Sequence, residues 1–277
     1  MSKVWFITGA SRGIGAELAR AVLASGDAVV AAARRIEGLE DLFGGSNRLL
    51  TVTLDVTEPA QAAHAVQTAI DRFERIDVLV NNAGYGLLGA LEECSAKELA
   101  AQFETNVFGL WSVTRAVLPI MRAQRSGHII NIGSSSGLVG FAAASAYCAT
   151  KFAVEGLSEA LAKELAPLGI KVTIIEPGTT RTQFLTGQSV RFAEQVICDY
   201  EASSGASRAR VPALNGKQPG DPQKLAQAIL AVAAADPPPL RFLAGADTVR
   251  LFEQSAAAKV EELKAWRDLS VSLGYDD

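Results

Sequence analysis

Histidine and cysteine, from which most metal centres and redox motifs are built, are nearly missing from this chain. Its 277 residues include two histidines, His64 and His128, and three cysteines, Cys94, Cys148 and Cys198. The histidines lie far apart without ligand spacing. The cysteines stand about fifty residues apart with no CxxC pair. A zinc site or dithiol motif finds no support, no metal is expected, and both histidines read as surface or strand-edge residues. A sparse, odd cysteine count fits a reducing compartment, so a cytoplasmic location is expected. Long apolar runs are missing too. None reaches the ~18–20 residues that a membrane span needs, and alanine-rich stretches such as Ala231–Ala235 are short. The chain enters the strand-like run Val4-Trp5-Phe6-Ile7 without a basic region or cleavage site, which does not read as a signal peptide. A basic excess is also absent. The formal net charge is −4, so neither nucleic acid nor an anionic membrane is an expected partner.

What is present is apolar residue in short runs. Hydrophobic residues make up 49% of the chain and charged ones 20%, enough for a large core and too apolar for disorder. Strand-like runs at Val4–Thr8, Ala28–Ala33, Leu49–Leu54, Val78–Asn81, His128–Gly133 and Val172–Glu176 alternate with helical patterns at Ile14–Ala24, Pro59–Phe73, Ala96–Ala123 and Ala146–Ala166. Continuous apolar strands separated by helix-length segments predict parallel βαβ units, a doubly wound α/β sheet with helices on both faces. Local punctuation agrees. Gly26 suits a left-handed position after the first helix, Ser95 with Glu98 forms a capping box, and Pro59 fits a first helical turn. With no repeat and no linker, residues 1–277 are expected to form one domain. Gln183–Asp221 differs in texture and predicts a long, partly helical, mobile excursion from the sheet. Pro237-Pro238-Pro239 ends a helix, Leu240–Ala244 is a seventh strand, and Asp247–Leu269 is a closing helix.

Thr8-Gly9-Ala10-Ser11-Arg12-Gly13-Ile14-Gly15 follows the first strand and opens a helix. Gly9 allows the tight turn, Gly13 lets the backbone approach a pyrophosphate, and Gly15 permits close helix–strand packing. The helix N-terminus presents free N–H groups and a positive dipole end to phosphates. The spacing is GxxxGxG rather than the common GxGxxG. A second strand that ended in an acid would bind the adenosine ribose hydroxyls and repel a 2′-phosphate. Here the chain reads Ala31-Ala32-Ala33-Arg34-Arg35. Arg34, with Arg12 on the other side, suits a 2′-phosphate, so the expected cofactor is NADP(H). Asp55-Val56 follows the third strand; Asp55 flanks the adenine or serves as a helix-cap residue.

Tyr147 and Lys151 are four residues apart on a helical run, hence on one face. An ammonium beside a phenol favours the phenolate and lowers the tyrosine pKa, so the pair can exchange a proton with a carbonyl oxygen. Ser134 stands thirteen residues before Tyr147, at the carboxyl end of the fifth strand, where ligands of open parallel sheets bind. It can donate to a developing alkoxide. Ser135 and Ser136 compete for that role.

Together these segments resemble the short-chain dehydrogenase/reductase family, in its single-domain, NADP-preferring branch. The matching pieces are TGASRGIG at Thr8–Gly15, LDV at Leu54–Val56, NNAG at Asn81–Gly84, Asn106-Val107, IGSSSG at Ile132–Gly137, YCATK at Tyr147–Lys151, and Pro177-Gly178 with Thr182. The resemblance implies a seven-stranded sheet of order 3-2-1-4-5-6-7. It implies that Tyr147 is the general acid/base, that Lys151 binds the nicotinamide ribose and depresses the tyrosine pKa, and that Ser134 orients the substrate oxygen. Asn106 would hold the long helix open and anchor a proton-relaying water. Asn82-Ala83-Gly84 would pack beside the cofactor, and the backbone near Thr180 and the Thr182 hydroxyl would hold the carboxamide. Two departures stand out. Gly133 occupies a position often held by serine, and the chain runs about thirty residues past the usual end of the family. The Asp247–Leu269 helix is expected to cover the last strand's edge, giving a dimer or monomer rather than a tetramer.

The substrate pocket is expected between Tyr85-Gly86-Leu87-Leu88, Leu138-Val139-Gly140-Phe141 and the 183–221 excursion. These segments are mostly apolar and predict a hydrophobic ketone, aldehyde or secondary alcohol. Two alternatives compete. A 3-oxoacyl thioester reductase would use a basic mouth, for which Arg181, Arg191, Arg208 and Arg210 are scattered candidates. A non-catalytic NADP-sensing protein would usually lose the tyrosine or the lysine, and this chain keeps both.

Overall fold

Alternate residues of the first strand serve two different cores. In β1 (Val4–Thr8), Trp5 and Ile7 face one side of the sheet, while Val4 and Phe6 face the other, and all are buried. The same division runs through β2 (Ala28–Ala33), whose small residues let helices approach closely, and β4 (Val78–Asn81). A computed structural model describes residues 2–187 and 189–275; Met1, Gln188, Asp276 and Asp277 lie outside the described residues.

The main sheet also contains β3 (Leu49–Thr53), β6 (Gly127–Ile132), β7 (Ile170–Pro177) and β9 (Arg241–Ala244). Its seven strands are all parallel, in the order β3-β2-β1-β4-β6-β7-β9. Counted along the chain, that is the expected 3-2-1-4-5-6-7. One face is covered by α1 (Gly13–Ala24) and α8 (Pro222–Ala234), through Leu18, Val22, Leu225 and Ile229. The other face is covered by α3 (Pro59–Phe73), α5 (Gly109–Gln124) and α6 (Ser145–Leu165), through Val66, Val113, Val117 and Leu161. Chain order reverses between β1 and β4, and a crevice opens there outside the carboxyl ends of the strands. The short α2 (Leu39–Phe43) precedes β3.

The local signals hold. Gly26 has φ +95°, the Ser95–Glu98 capping box is formed, and Pro59 sits in the first turn of α3. The expected single helix over 96–123 is instead α4 (Ala96–Phe103), a π-turn at Glu104–Phe108, and α5. Gly109 N–H reaches back five residues to the Glu104 carbonyl, and the extra residue turns Asn106 inward. His128 departs from expectation more plainly. It is buried in β6, with its ring nitrogen 2.9 Å from Thr173 Oγ1, whereas His64 is exposed on α3.

The 183–221 excursion is tied to the body of the fold at several points. Its strand β8 (Val190–Phe192) pairs in parallel with β5 (Gly86–Leu88), a ribbon that the sequence pattern did not reveal. Glu93 is the main anchor. Its carboxylate accepts from the backbone N–H of Ala90 and Ile197 and from the Ser204 hydroxyl, and lies 3.7 Å from the Arg208 guanidinium. Those bonds hold its pKa down at about 2, with Ser204 the largest cause. Helix α7 (Ala206–Leu214) completes the excursion.

Helix α9 (Ala246–Val271) only partly meets its expected role. Its first turns dock beside α6 and the Ser135–Gly137 turn, with Thr248 buried. Every described residue from Ala257 to Tyr275 is exposed, and β9 remains half-buried. The helix therefore leaves the sheet edge instead of lying along it.

Candidate active site

The carboxyl ends of six strands and the starts of α1 and α6 build the crevice, a cleft of about 1190 Å³. β1 delivers the glycine loop. Gly9 and Gly13 adopt φ +64° and +56°, a left-handed region that side chains disfavour. A Cβ on Gly15 would stand 2.5 Å from the Gly9 carbonyl oxygen and 2.6 Å from Asn82 Nδ2. Gly15 therefore packs against its own loop and does not line the cleft, whereas Gly9, Ser11, Arg12, Gly13 and Ile14 do. The start of α1 carries no side-chain cap, so the N–H groups of its first turn face the cleft as an anion site. Gly13 looks across at Thr182, whose side chain begins 3.5 Å from where a Cβ would be.

Asn82 supports this loop from β4. Its Nδ2 donates to the carbonyls of Thr8 (2.9 Å) and Gly9 (3.1 Å), and the Thr8 hydroxyl accepts from the backbone N–H of Asn82 and Ala83. Ala83 and Gly84 line the cleft beside it. Arg34, exposed at the end of β2, also lines the cleft, as do Asp55 and Val56. The Arg12 guanidinium lies below its ordinary pKa, first through burial and second through the charge of Arg34. Two like charges held that close at a cleft wall form a ready site for an anion such as a phosphate. Asp55 spends its carboxylate locally, accepting from the Thr57 N–H (3.0 Å) and hydroxyl (2.8 Å). It shapes the turn before α3, whose N-cap is Glu58, so Asp55 is not the helix-cap residue.

Pro177 ends β7, Gly178, Thr180 and Thr182 follow it, and all four line the same cleft. Thr182 Oγ1 accepts from the Phe184 N–H at 3.1 Å. Asp247, at the start of α9, accepts from the N–H and the hydroxyl of Thr179, at 3.0 and 3.1 Å. The C-terminal helix thus fixes this loop, a support that the sequence reading missed.

Ser134, Tyr147 and Lys151 meet at the end of β6. The Ser134 hydroxyl stands beside Tyr147, where it favours the phenolate, and accepts from the Ser136 N–H at 3.1 Å. Lys151 Nζ donates to the Ile132 carbonyl at 2.7 Å and lies 5.8 Å from the centre of the Tyr147 ring. The electrostatics differ from expectation. Burial pushes the Tyr147 phenol up to about 12, against the lowering effect of Ser134. Burial likewise brings the Lys151 ammonium down to about 8, with Glu155 opposing. For the phenol, desolvation outweighs the influence of Ser134. Asn106 lies outside the cleft lining. Its Oδ1 accepts from the Tyr85 N–H (3.0 Å), and its Nδ2 donates to the Tyr85 carbonyl (2.8 Å) and to Thr150 Oγ1 (3.2 Å). Its amide thus ties the Tyr85 loop to Thr150 on α6.

The expected substrate walls are only partly realised. Tyr85 and the cleft-facing part of the excursion (Gln183, Phe184, Leu185, Gly187, Ser189, Arg191) reach the cleft, joined by Gln218. Leu87 is buried in a separate cluster with Cys94, Ala146 and Ala193, and Leu138 is buried away from the cleft. The Phe184 ring lies 6.0 Å from that of Tyr147, and the Arg191 guanidinium sits 4.5 Å over Tyr85. The mouth is therefore more polar than the sequence implied. Among the described residues no group of three or more histidine, cysteine or acidic side chains is placed to hold a metal, and no helix is long and apolar enough to cross a membrane.

Known proteins resemble this chain in sequence and fold. Residues 3–190 match the family model described as short chain dehydrogenase. The oxidoreductase BOA17 of Botryotinia fuckeliana (strain B05.10) is 41% identical over 274 residues, 98% of this chain and 99% of that protein. A 3-ketodihydrosphingosine reductase of Bacteroides thetaiotaomicron is 38% identical over 261 residues, 91% of each. A crystal structure of a short-chain dehydrogenase from Streptomyces avermitilis superposes with a TM-score of 0.92 at 41% identity, covering 99% of this chain and 100% of that one. ElxO with NADP bound gives 0.71 at 30% identity over 85% and 93%. A Burkholderia phymatum short-chain dehydrogenase/reductase in complex with NAD gives 0.80 at 25% identity over 97% and 95%.

Proposed function

The chain belongs to the short-chain dehydrogenase/reductase family, and we propose that it is an NADP(H)-dependent carbonyl reductase, equally a secondary-alcohol dehydrogenase. The observation that carries this reading is the convergence of Ser134, Tyr147 and Lys151 on the cleft that the glycine loop enters from the opposite wall. The residues fit a dinucleotide. The uncapped start of α1 and the close turns at Gly9 and Gly13 suit a pyrophosphate, and the adjacent Arg12 and Arg34 suit a 2′-phosphate. When bound, the nicotinamide supplies or accepts the hydride.

The protein's part is positioning and proton transfer. Ser134 donates to the substrate oxygen as charge develops on it, and Tyr147 delivers the proton. A phenol held near 12 stays protonated at neutral pH, as an acid for reduction must. Lys151, fixed by Ile132, supports the phenolate left behind and reaches the ribose side of the cleft. Asn106 keeps the Tyr85 wall in place. The Pro177–Thr182 loop, braced by Asp247, holds the carboxamide end.

The substrate we assign is a ketone or aldehyde with an apolar body, received by Phe184, Leu185 and Tyr85. A relative named for reduction of a ketone supports that class. Of the four arginines that would favour a carrier-bound thioester, only Arg191 lines the cleft among the described residues. Retention of Tyr147 and Lys151 speaks against a purely sensing role. Three free cysteines fit a cytoplasmic enzyme. A panel of ketones and aldehydes, followed by loss of NADPH absorbance, tests the reading; turnover of an apolar carbonyl is expected, and none across the panel would refute it.

A further inference from the structure

Behind the Ser134–Tyr147–Lys151 cluster lies a set of charged groups to which no role has yet been given. Glu155 is on α6, four residues after Lys151 and eight after Tyr147, so the three share one helix face. Glu176 is on β7 and Arg241 on β9; both carboxylates are buried, Glu176 completely. Arg241 Nη2 stands 3.0 Å from Glu155 Oε2 and 2.6 Å from Glu159 Oε1, and its Nε stands 3.4 Å from Glu176 Oε1. None of the four oxygens on Glu155 and Glu176 takes a well-aligned N–H or O–H donor among the described residues. One guanidinium, already shared with Glu159, faces two buried carboxylates.

This cluster touches the site directly. Glu155 Oε1 lies 2.9 Å from where a Cβ on Gly133 would stand and 3.1 Å from that on Gly137. The carboxyl therefore lies under the turn that displays Ser134, and with Ile174 Cγ2, also at 2.9 Å, it leaves no room for a side chain at Gly133. The charged groups facing Glu155 are Lys151 and Glu159 from α6, Glu176 from β7 and Arg241 from β9. Lys259 of α9 lines the groove that opens onto it. Two such carboxyls cannot both ionise at low cost, whereas a proton on one makes it a donor to the other.

We propose that Glu155 and Glu176 share one proton and that this pair acts as a positioning element for the charge of Lys151, setting the alkaline limit of the Tyr147–Lys151 couple. The proposal rests on the roles given to Tyr147 and Lys151 above. Burial, then the charge of Glu176, pushes Glu155 up to about 8, the range in which Lys151 also titrates. When the pair releases its proton to solvent, the added negative charge holds the proton on Lys151.

The test compares the pH profile of carbonyl reduction in the unmodified enzyme, Glu155→Gln and Glu176→Gln. Glu155→Gln can never become negative, so Lys151 loses its proton sooner and the alkaline limb moves roughly 0.5–1 pH unit toward acid. Glu176→Gln removes the like charge facing Glu155, which then ionises at neutral pH. The limb moves the other way. A merely structural role would not split the two variants in opposite directions; shifts of one sign, or none, overturn the proposal. Infrared titration of the protein without substrate gives a second readout independent of turnover. A protonated-carboxyl band is expected at neutral pH, titrating near 8 and lost in either variant. Absence of that band in the unmodified protein overturns the pair, whereas a band without turnover of any carbonyl would leave the pair standing and fail the functional reading.

Discussion

Lys151 Nζ donates to the carbonyl of Ile132 at 2.7 Å, tying the helix that carries Tyr147 to the last residue of the strand that precedes Ser134. This bond keeps the ammonium in a buried place, and burial is what brings its pKa to about 8. A required ammonium with a depressed pKa is present below that value and lost above it. Turnover should hold through neutral pH and fall as pH rises through about 8. A rate profile measured at saturating cofactor checks this. Lys151→Met should remove the limb along with roughly 10²–10⁴ of turnover.

Arg34 and Arg12 make a distinct prediction about the cofactor. A charge-assisted contact is worth roughly 1.5–3 kcal/mol. Arg34→Asp should therefore weaken NADPH binding about ten- to a hundredfold and turn preference toward NADH. Fluorescence titration with both cofactors checks it. NADH preference in the unmodified protein would remove the argument.

Gly15→Ala should be costly without touching the cofactor. Its Cβ would press on the Gly9 carbonyl and on Asn82 Nδ2, both parts of one hydrogen-bonded loop. Overpacking of this kind costs about 1–3 kcal/mol. Thermal unfolding should show a lowered midpoint, with NADPH affinity reduced because the loop is displaced.

His128 predicts a pH dependence of stability. Burial, with Lys171 and Lys3 adding, lowers its pKa to about 4. The unfolded chain, with a histidine pKa near 6.5, then binds more protons than the folded one between those values. The stability contributed by the neutral ring is complete above the unfolded value and lost as pH falls toward the folded one. The full effect is on the order of 3 kcal/mol. His128→Gln should flatten the dependence of the unfolding midpoint between pH 4 and pH 6.5.

Much of this fold was legible because its strands are buried on both faces and its helices are amphipathic. The runs of β1, β2 and β4 and the helix at Pro59–Phe73 were read to the residue. The glycine loop and the Ser134, Tyr147 and Lys151 positions were legible because turn geometry and helical spacing are local. What escaped depends on distant partners. Glu93 is buried because Ile197, Ser204 and Arg208 come to it across the excursion. The β5–β8 ribbon is three residues a side, too short for periodicity to reveal. The π-turn at Asn106 carries no composition of its own and arises because the side chain reaches Tyr85. Glu155 carries no local signal of burial, because Glu176 and Arg241, which close over it, come from β7 and β9. The phenol's raised pKa could not be read either, since burial rather than the neighbouring lysine decides it.

One measurement weighs most heavily on the proposed chemistry: Tyr147→Phe, with NADPH affinity and carbonyl turnover determined on the same preparation. In the proposed mechanism the phenol meets the substrate oxygen, whereas the proposed dinucleotide would be held by the glycine loop, supported by Asn82, and by Arg12 and Arg34. The expected result is unchanged NADPH binding with turnover reduced roughly 10²–10⁴-fold. Binding and turnover falling together, or turnover persisting, would contradict the assignment of Tyr147 as the proton donor.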